Sequence, residues 1–252
     1  MEFKNKKVLI TGGSRGIGKA TAIAFADKGA KVGVNFKSDF ENANKTLNLL
    51  KGKGHHLFQY DISDKQAQKD LIQDFISTCG SIDILINNAG ISIEHDIEKV
   101  NFDQWSTAFE ATFQTNLFAV ANLSYLAAKE MKISGGGHIV NVSSRGAFRG
   151  EPTKPAYGAS KAALNAMTQS LAKRLAPYNI YLGVVAPGFT ETDMAKETLT
   201  PAERENLLRE SPFKRMAQPE EVAHAILFLA SDAAAYSSGT IIDVNGASYL
   251  RS

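Results

Sequence analysis

The chain has 252 residues, a net charge of +2 with acidic and basic residues interleaved, and one cysteine, Cys79. That charge balance gives no argument for binding nucleic acid or an anionic membrane surface, and a single cysteine excludes an intrachain disulfide framework. No apolar run approaches the roughly 18 residues of a membrane span, no signal-peptide segment begins the chain, and the five histidines lack zinc-site spacing, so we expect a cytoplasmic protein without a metal site.

Short apolar runs alternate with helical patterns along the chain. Several runs are apolar on successive residues, as strands covered on both faces should be. The predicted strands are Val8–Ile10, Lys31–Phe36, His56–Tyr60, Ile82–Asn87, His138–Val142, Ile180–Val185 and Thr240–Val244. The predicted helices are Gly16–Lys28, Lys65–Thr78, Thr112–Lys132, Tyr157–Ala176 and Glu220–Leu229. This βαβ series predicts an α/β fold, a doubly wound parallel sheet with helices on both faces, in a single domain over residues 1–252.

A glycine cluster follows the first predicted strand and opens the first helix. Because glycine permits close backbone approach, such a turn can place backbone N–H groups against an anion at the helix N-terminus. The spacing departs from the common G-x-G-x-x-G, so a plain glycine-rich turn is the alternative. The predicted phosphate cradle of a dinucleotide site consists of Gly12, Ser14, Arg15, Gly16, Ile17 and Gly18.

The end of the second predicted strand bears on the choice between NADP and NAD. Folds that bind NAD place an acidic side chain near this point for the ribose hydroxyls, and this chain has Asn35 there. Arg15, Lys37 and Ser38 can together receive a 2′-phosphate through charge-assisted hydrogen bonds. This favours NADP(H), while Asp39 close by keeps NAD(H) as the alternative, with Arg15 and Lys37 then as solvated cations.

The third and fourth predicted strands also end in residues suited to a cofactor. Asp61, followed by Ile62, can accept a hydrogen bond from an adenine amino group; helix capping is its alternative role, although Ser63 or Asp64 can serve as the cap. The small residues in the fourth stretch let a ligand lie against the backbone, and Asn87 can tie neighbouring strands together. A plain turn is the alternative for that stretch, which is Asn88-Ala89-Gly90.

Two polar positions point to chemistry in the second half of the chain. Asn116 lies among apolar residues of a predicted helix, where its amide needs partners; it is either a structural asparagine or part of a polar relay. Ser144 falls at the carboxyl end of the fifth strand, where open α/β sheets place active sites. Because the chain has no G-x-S-x-G elbow around it, we expect Ser144 to donate a hydrogen bond to a carbonyl oxygen rather than to act as a nucleophile.

Tyr157 and Lys161 are four residues apart on a predicted helix and therefore share a face. A phenol has an ordinary pKa of about 10, and a nearby ammonium lowers that value. Tyr157 would then be a usable proton donor and acceptor. A chance surface pair is the alternative, and Ser144, thirteen residues earlier, argues against it.

In order and spacing, these motifs resemble the short-chain dehydrogenase/reductase family over essentially the whole chain. The motifs are Thr11-Gly12-x-x-x-Gly16-x-Gly18, Asn87-Asn88-Ala89-Gly90, Asn116, Ser144, Tyr157-x-x-x-Lys161 and Pro187-Gly188. The resemblance implies a Rossmann-like fold of about seven parallel strands and a homotetramer.

The resemblance also implies a role for each residue. Ser144 would orient the substrate oxygen, and Tyr157 would be the general acid/base. Lys161 would lower the pKa of the tyrosine and hold the nicotinamide ribose, and Asn116 would support a proton relay through water. The nicotinamide carboxamide would be held by Pro187, Gly188, Thr190 and Thr192.

The C-terminal part is similar to 3-oxoacyl-(acyl-carrier-protein) reductases, from Gln218-Pro219-Glu220-Glu221-Val222-Ala223 through Asn245-Gly246. Those enzymes place arginines for carrier-protein docking at positions that match Gly135 and Tyr178 here. Lys129, Lys132 and Arg174 are the candidates to replace them, with a plain surface role as the alternative.

The expected activity is hydride transfer between NADP(H) and a ketone or secondary alcohol, a 3-oxoacyl thioester being one candidate substrate. A substrate lid is predicted over residues 191–218, whose apolar side chains include Met194, Leu199 and Phe213; packing on the sheet or at a subunit interface is the alternative for them. Within the same stretch, Thr200-Pro201-Ala202-Glu203 predicts the start of a helix. The competing function is a non-catalytic NADP(H)-sensing regulator on the same fold.

Overall fold

Seven parallel strands form one sheet in the computed structural model, which describes residues 2–192 and 201–251. The sheet order is β3-β2-β1-β4-β5-β6-β7. Each strand lies within two residues of its predicted bounds. The strands are β1 Lys7–Ile10, β2 Lys31–Phe36, β3 His56–Gln59, β4 Ile84–Asn87, β5 Gly137–Val142, β6 Ile180–Pro187 and β7 Ile241–Val244.

The helices connect successive strands and cover the sheet. They are α1 Gly16–Asp27, α2 Phe40–Leu49, α3 Lys65–Cys79, α4 Phe102–Phe113, α5 Ala119–Ser134, α6 Gly146–Arg149, α7 Pro155–Leu175, α8 Pro201–Glu210 and α9 Pro219–Leu229. Short 3-10 segments span Ala176–Tyr178 and Asp232–Ser237. Helix α8 begins at Pro201, as predicted; Thr200, together with Met194 and Leu199 of the predicted lid, lies outside the described residues.

The predicted helix Thr112–Lys132 is the main departure from the expected elements. Helix α4 begins earlier, at Phe102, and a single π-helical turn, Gln114–Phe118, separates it from α5. Such turns widen the backbone by one residue and occur often at functional sites. This one carries Asn116, so the departure from regular helix geometry falls on a residue that the sequence predicts to be functional.

Apolar side chains fill both sides of the sheet because successive strand residues point to opposite faces. In β1, Val8 and Ile10 pack in one layer with Phe25 of α1, and Leu9 packs in the other layer with Leu71 of α3. All five side chains are fully buried. This two-sided burial is what the continuous apolar runs predict, and it leaves the carboxyl ends of the strands as the open edge for a ligand.

Polar side chains cross-link the centre of the sheet close to that edge. Asn87 is 1% exposed, and its Nδ2 donates to Asn141 Oδ1 at 2.8 Å and to Ser124 Oγ at 3.2 Å. Asn141 in turn donates to Thr168 Oγ1 of α7 at 2.8 Å. The predicted tie between neighbouring strands is therefore present, and it reaches from β4 through β5 to the helix that carries Tyr157 and Lys161.

We expect Asn87→Ala to lower the free energy of unfolding by about 1–3 kcal/mol, because it leaves Asn141 Oδ1 buried without its donor. Urea unfolding monitored by circular dichroism measures the change. Asn48→Ala, at an exposed position of α2, is the matched control and should stay within about 0.5 kcal/mol of the wild type. Equal stability of the two variants would contradict the structural role assigned to Asn87.

Candidate active site

The glycine turn between β1 and α1 has no room for side chains. Gly12 and Gly16 have positive φ angles of 62° and 52°, and a Cβ on Gly18 would lie 2.2 Å from the carbonyl oxygen of Gly12. Asn88 Nδ2 donates to the carbonyl oxygens of Thr11 and Gly12, both at 3.0 Å, which ties the turn to the end of β4. The compact turn thus leaves backbone exposed where a side chain would otherwise intervene.

A nucleotide phosphate fits this turn on the geometry of α1. The residue before the helix is Arg15, which has extended backbone and provides no side-chain cap within the described part of the chain. The first backbone N–H groups of α1, which a capping side chain would otherwise engage, therefore point to the edge where the strands end. Gly16 lies beside Thr192, whose Cγ2 would be 3.0 Å from a Cβ at that glycine.

The ribose region at the end of β2 contains two pairs of opposite charges. Arg15 Nε lies 3.7 Å from Asp39 Oδ2, and Lys37 Nζ lies 2.8 Å from Asp61 Oδ2. Ser38 is exposed beside them. All these groups lie where the sequence predicts the adenosine end of a dinucleotide.

Asn35 is buried, and its amide is turned into the sheet. Its Nδ2 donates to the carbonyl oxygens of Phe58 at 3.2 Å and of Tyr60 at 3.0 Å. The side chain therefore joins β2 to β3. Asn35 therefore places no carboxylate in the ribose region, and a contact of this residue with a cofactor stays a prediction.

Asp61 is left available by the capping arrangement, as predicted. Asp64 caps α3, accepting a hydrogen bond from the N–H of Ala67 at 2.7 Å. Burial opposes ionisation of Asp61, but hydrogen bonds from Lys37 and Ser63 outweigh it and hold the pKa of this carboxyl below its usual range. The side chain of Ile62 is buried in the apolar core, so a cofactor contact at that position falls to its backbone.

Asn116 joins three segments at the edge of the pocket. It is fully buried; its Oδ1 accepts from the N–H of Ile91 at 2.8 Å, and its Nδ2 donates to the Ile91 carbonyl at 2.9 Å and to Ser160 Oγ at 3.2 Å. A Cβ on Gly90 would lie 3.1 Å from Asn116 Oδ1 and 3.4 Å from Lys161 Nζ. The amide thus fixes the backbone after β4 against α7, within reach of the lysine.

Lys161 lies under the site with its ammonium enclosed. It is 4% exposed, and its Nζ donates to the carbonyl oxygen of Val142, the last residue of β5, at 2.8 Å. Burial lowers the pKa of Lys161 to about 8. Tyr157 lies one turn earlier on α7 and is half-buried, and hydrogen bonding by Ser144 acts to lower the pKa of its phenol. Ser144 Oγ also accepts from the N–H of Gly146 at 3.0 Å.

The segment after β6 closes the pocket from the other side. The N–H of Gly188 donates to the carbonyl of Val244 at 2.9 Å, and the carbonyl of Pro187 accepts from the N–H of Arg145 at 2.8 Å. Thr190 is buried, with its hydroxyl donating to the Gly188 carbonyl at 3.3 Å. These contacts hold residues 187–190 between the serine-bearing loop and β7, at the position predicted for the nicotinamide.

Comparison with known proteins agrees with this arrangement. The sequence model of the family described as short chain dehydrogenase matches residues 6–203. The chain belongs to the short-chain dehydrogenase family. An uncharacterised oxidoreductase of Thermotoga maritima is 39% identical over 98% of this chain and 99% of the relative.

Two further relatives name activities. A 3-oxoacyl-(acyl-carrier-protein) reductase of Thermotoga maritima is 38% identical, with 98% of each chain covered. A solved structure of 7α-hydroxysteroid dehydrogenase, complexed with NADH and 7-oxo glycochenodeoxycholic acid, superposes with a TM-score of 0.90 at 34% identity, over 97% of this chain and 94% of the other. This short-chain dehydrogenase is therefore an oxidoreductase of a family that uses a nicotinamide cofactor.

The electrostatics of the dehydrogenase site differ from expectation in one respect. The pKa of the Tyr157 phenol is raised, mainly by burial; the hydrogen bond from Ser144 lowers it, and the Glu151 carboxylate raises it further. Lys161 Nζ lies 5.8 Å from the centroid of the tyrosine ring and is bonded to Val142 instead. The predicted lowering of this pKa by Lys161 is therefore wrong for the chain by itself, because desolvation raises the pKa and the ammonium of Lys161 is directed to the Val142 carbonyl.

Sequence reasoning missed the burial of Arg145, the residue after Ser144. Arg145 is 3% exposed, and both Arg145 and Arg149 donate to Glu210 of α8, at 2.9 and 2.8 Å. A charged residue beside a strand end is ordinarily solvated, so the sequence alone carried no signal for this burial.

Within the described residues, no group of three potential metal ligands occurs, and no helix is long and apolar enough to cross a membrane.

The buried ammonium predicts a specific pH dependence of stability. The pKa of Lys161 is about 8 in the folded chain, against an ordinary value of 10.5, so between those pH values the unfolded chain binds more protons and stability rises with pH. The contribution is of the order of 3 kcal/mol. We expect Lys161→Met to lose this rise, measured by urea unfolding at pH 7.5 and pH 10.

The matched control is Lys173→Met, at an exposed position of the same helix. It should keep the wild-type difference in unfolding free energy between the two pH values. The same difference in the Lys161 variant as in the wild type would show that the ammonium is not desolvated as described.

Proposed function

We propose that this protein is an NADP(H)-dependent oxidoreductase that transfers a hydride between nicotinamide and a ketone or secondary alcohol. Asn116, Ser144, Tyr157 and Lys161 are its catalytic residues. The observation that carries the proposal is the position of Tyr157 and Lys161 one turn apart on α7, with Lys161 Nζ held on the last carbonyl of β5 at 2.8 Å, two residues before Ser144 and at the strand edge that also holds the glycine turn. Gly90, which follows β4, lies at the same edge of the sheet, close to Lys161 Nζ.

The two hydroxyls and the ammonium divide the work on the substrate oxygen. The raised pKa of Tyr157 keeps its phenol protonated at neutral pH, so it can donate a proton to the oxygen of a ketone. Ser144 donates a second hydrogen bond to that oxygen and orients it. With a pKa of about 8, Lys161 is mostly charged at neutral pH and stabilises the tyrosinate that remains after proton transfer.

The nucleotide supplies the hydride when it is bound, and the protein supplies position. The glycine turn and the N-terminus of α1 would hold the pyrophosphate, and residues 187–192 would hold the nicotinamide. Asn116 keeps Ile91 and α7 in register through its three hydrogen bonds. It thereby maintains the space beside Lys161 through which a proton can return to Tyr157.

Replacement of Tyr157 by Phe tests this mechanism against the sensing alternative. We expect kcat for NADPH oxidation with an accepted ketone to fall at least about 1000-fold, since the ring remains and the proton donor is lost. The Kd for NADPH, measured by nucleotide fluorescence, should change less than threefold.

Tyr236→Phe, at a fully exposed position, is the control and should keep wild-type turnover. If the wild type binds NADPH and consumes none with a panel of free ketones and carrier-linked 3-oxoacyl thioesters, the protein is a sensor and the proposal is wrong. Undiminished turnover by Tyr157→Phe would exclude the proton transfer described.

The choice of NADP(H) over NAD(H) rests on the ribose region. Both carboxylate oxygens of Asp39 accept hydrogen bonds from Asn42, at 3.0 and 2.8 Å, which commits this acid to the start of α2. Asn35 provides no carboxylate in its place. Arg15, Lys37 and Ser38 then offer donors for a 2′-phosphate, and the 3.7 Å between Arg15 Nε and Asp39 Oδ2 is longer than a hydrogen bond.

We expect Arg15→Ala to raise the KM for NADPH about tenfold and to leave the KM for NADH within about twofold, because only NADPH carries the phosphate that the guanidinium would pair with. Steady-state kinetics with both nucleotides measure this. Arg209→Ala, at an exposed position of α8, is the control. A similar change for both nucleotides, or a wild-type preference for NADH, would contradict the assignment.

A 3-oxoacyl thioester on a carrier protein is the second candidate substrate. Lys132 Nζ lies 4.0 Å and the Arg174 guanidinium carbon 5.6 Å from the ring centroid of Tyr178, so the three side chains form an exposed cationic cluster at the positions considered for carrier docking. The cluster lies where β5 and β6 begin, opposite to Ser144. A carrier protein docked at this cluster would have to deliver its acyl group across the sheet to reach Ser144 of the same chain. This favours a free ketone as the substrate, or delivery to the site of a second subunit.

Assembly and the lid are part of the proposal. Large apolar side chains are exposed along α4, the π turn and α5, namely Phe102, Phe118, Tyr125 and Ile133, and a homotetramer would cover them. Residues 191–218 would form the lid over the substrate. Its described part is anchored by Arg204, which donates to Glu191 at 2.7 Å, and by the pairing of Thr190 with Ala217.

A further inference from the structure

A cavity of about 750 Å³ lies between α8, the chain before α9, and the residues that follow β7. Its lining, drawn from the described residues, includes neither Ser144 nor Tyr157. The volume falls in the range of small-molecule binding sites. Its apolar wall is formed by Phe189, Leu207, Met216, Val244 and Leu250.

Among the described cations that line this cavity, Arg145 is the one with a buried nitrogen that lacks a hydrogen-bond partner. Its side chain is 3% exposed, its Nη2 donates to Glu210 Oε2 at 2.9 Å, and its guanidinium carbon lies 4.7 Å from the centroid of the Phe189 ring. Its Nη1 is buried without a hydrogen-bond partner among the described residues. A buried charged donor without a partner is costly, so the position favours a ligand that brings an acceptor.

The other charges that line the cavity are paired with one another. Arg215 donates twice to Glu221, at 2.6 and 2.7 Å, and Arg251 donates to Asp243 at 2.7 Å. Arg145 shares its only acid within hydrogen-bond distance, among the described residues, with Arg149. The attraction for an anion is therefore concentrated at Arg145.

The same surroundings limit the charge of the ligand. Asp243 lines the cavity and its Oδ1 is buried without a partner in the described part of the chain, and Glu210 stands on the other side of the guanidinium. A dianion such as a phosphate ester would be repelled by the charges of both acids more strongly than a monoanion. A ligand with one negative charge and an apolar body would match this cavity. Its charge would pair with the open guanidinium nitrogen of Arg145, and its body would pack on the apolar wall.

We propose that this cavity binds an amphipathic carboxylate, with the carboxylate on Nη1 of Arg145 and the apolar chain against Phe189, Leu207 and Met216. The charge-assisted hydrogen bond supplies recognition, and burial of the chain supplies affinity. The site is separate from the reacting hydroxyls and needs neither nucleotide nor turnover. Its test therefore stands or falls independently of the function proposed above.

The test is calorimetric titration of the full-length protein, without nucleotide, by octanoate, octanamide and octan-1-ol. We expect octanoate to bind at one saturable site, at least about tenfold more tightly than the two neutral ligands. Arg145→Gln should weaken octanoate at least about tenfold and change octanamide less than threefold. Leu207→Trp, which fills the cavity and retains Arg145, should weaken all three ligands.

Arg215→Gln is the matched control, because its guanidinium lines the same cavity and is already bonded twice to Glu221. It should change octanoate binding less than threefold. Cooperative urea unfolding checks that each variant is folded, and if Arg145→Gln fails this check, Leu207→Trp and the comparison of octanoate with octanamide decide. The proposal is overturned if octanamide binds as tightly as octanoate. It is also overturned if Leu207→Trp leaves octanoate binding unchanged, or if octanoate shows no saturable binding.

Discussion

One hydrogen bond, from Nζ of Lys161 to the carbonyl oxygen of Val142, ties the proposed catalytic helix to the sheet. Val142 ends β5, and the next residue, Ser143, donates to the carbonyl of Lys161 at 3.3 Å. Strand end and helix are thus joined in both directions. Because Tyr157 lies one turn before the lysine and Ser144 one residue after Ser143, this cross-link also sets the two hydroxyls side by side.

The burial that makes this cross-link strong also separates the acidities of the two groups. Removal from water disfavours the charged form of each, so the pKa of the phenol rises and that of the ammonium falls. At neutral pH the pair is then a neutral phenol beside a cation, which is the state needed to protonate a ketone oxygen. For the proposed reduction, desolvation is thus the main cause of the protonation states of both groups.

The strands and the positions of the motifs could be predicted from the sequence because they depend on local signals. Runs of consecutive apolar residues mark strands buried on both faces, and glycines mark turns that admit no side chain. The π turn at Asn116 could not be predicted, since the Asn116 side chain accepts a hydrogen bond from Ile91 and donates one to Ser160, and both residues are distant in sequence. The sign of the Tyr157 pKa shift was missed for the same reason: it depends on what tertiary packing places around the side chain.

Consecutive residues of the loop after β5 serve opposite sides of the molecule. Ser144 faces Tyr157, whereas Arg145 reaches Phe189 and α8, and its backbone N–H donates to Pro187 at 2.8 Å. The contact with α8 is asymmetric. The side chain of Glu210 is 42% exposed and would be solvated without its partner, whereas Arg145 would be left buried and unpaired. Arg145 therefore depends on Glu210 of α8 for an acceptor, and the ligand proposed for its open nitrogen would bind at the residue next to Ser144.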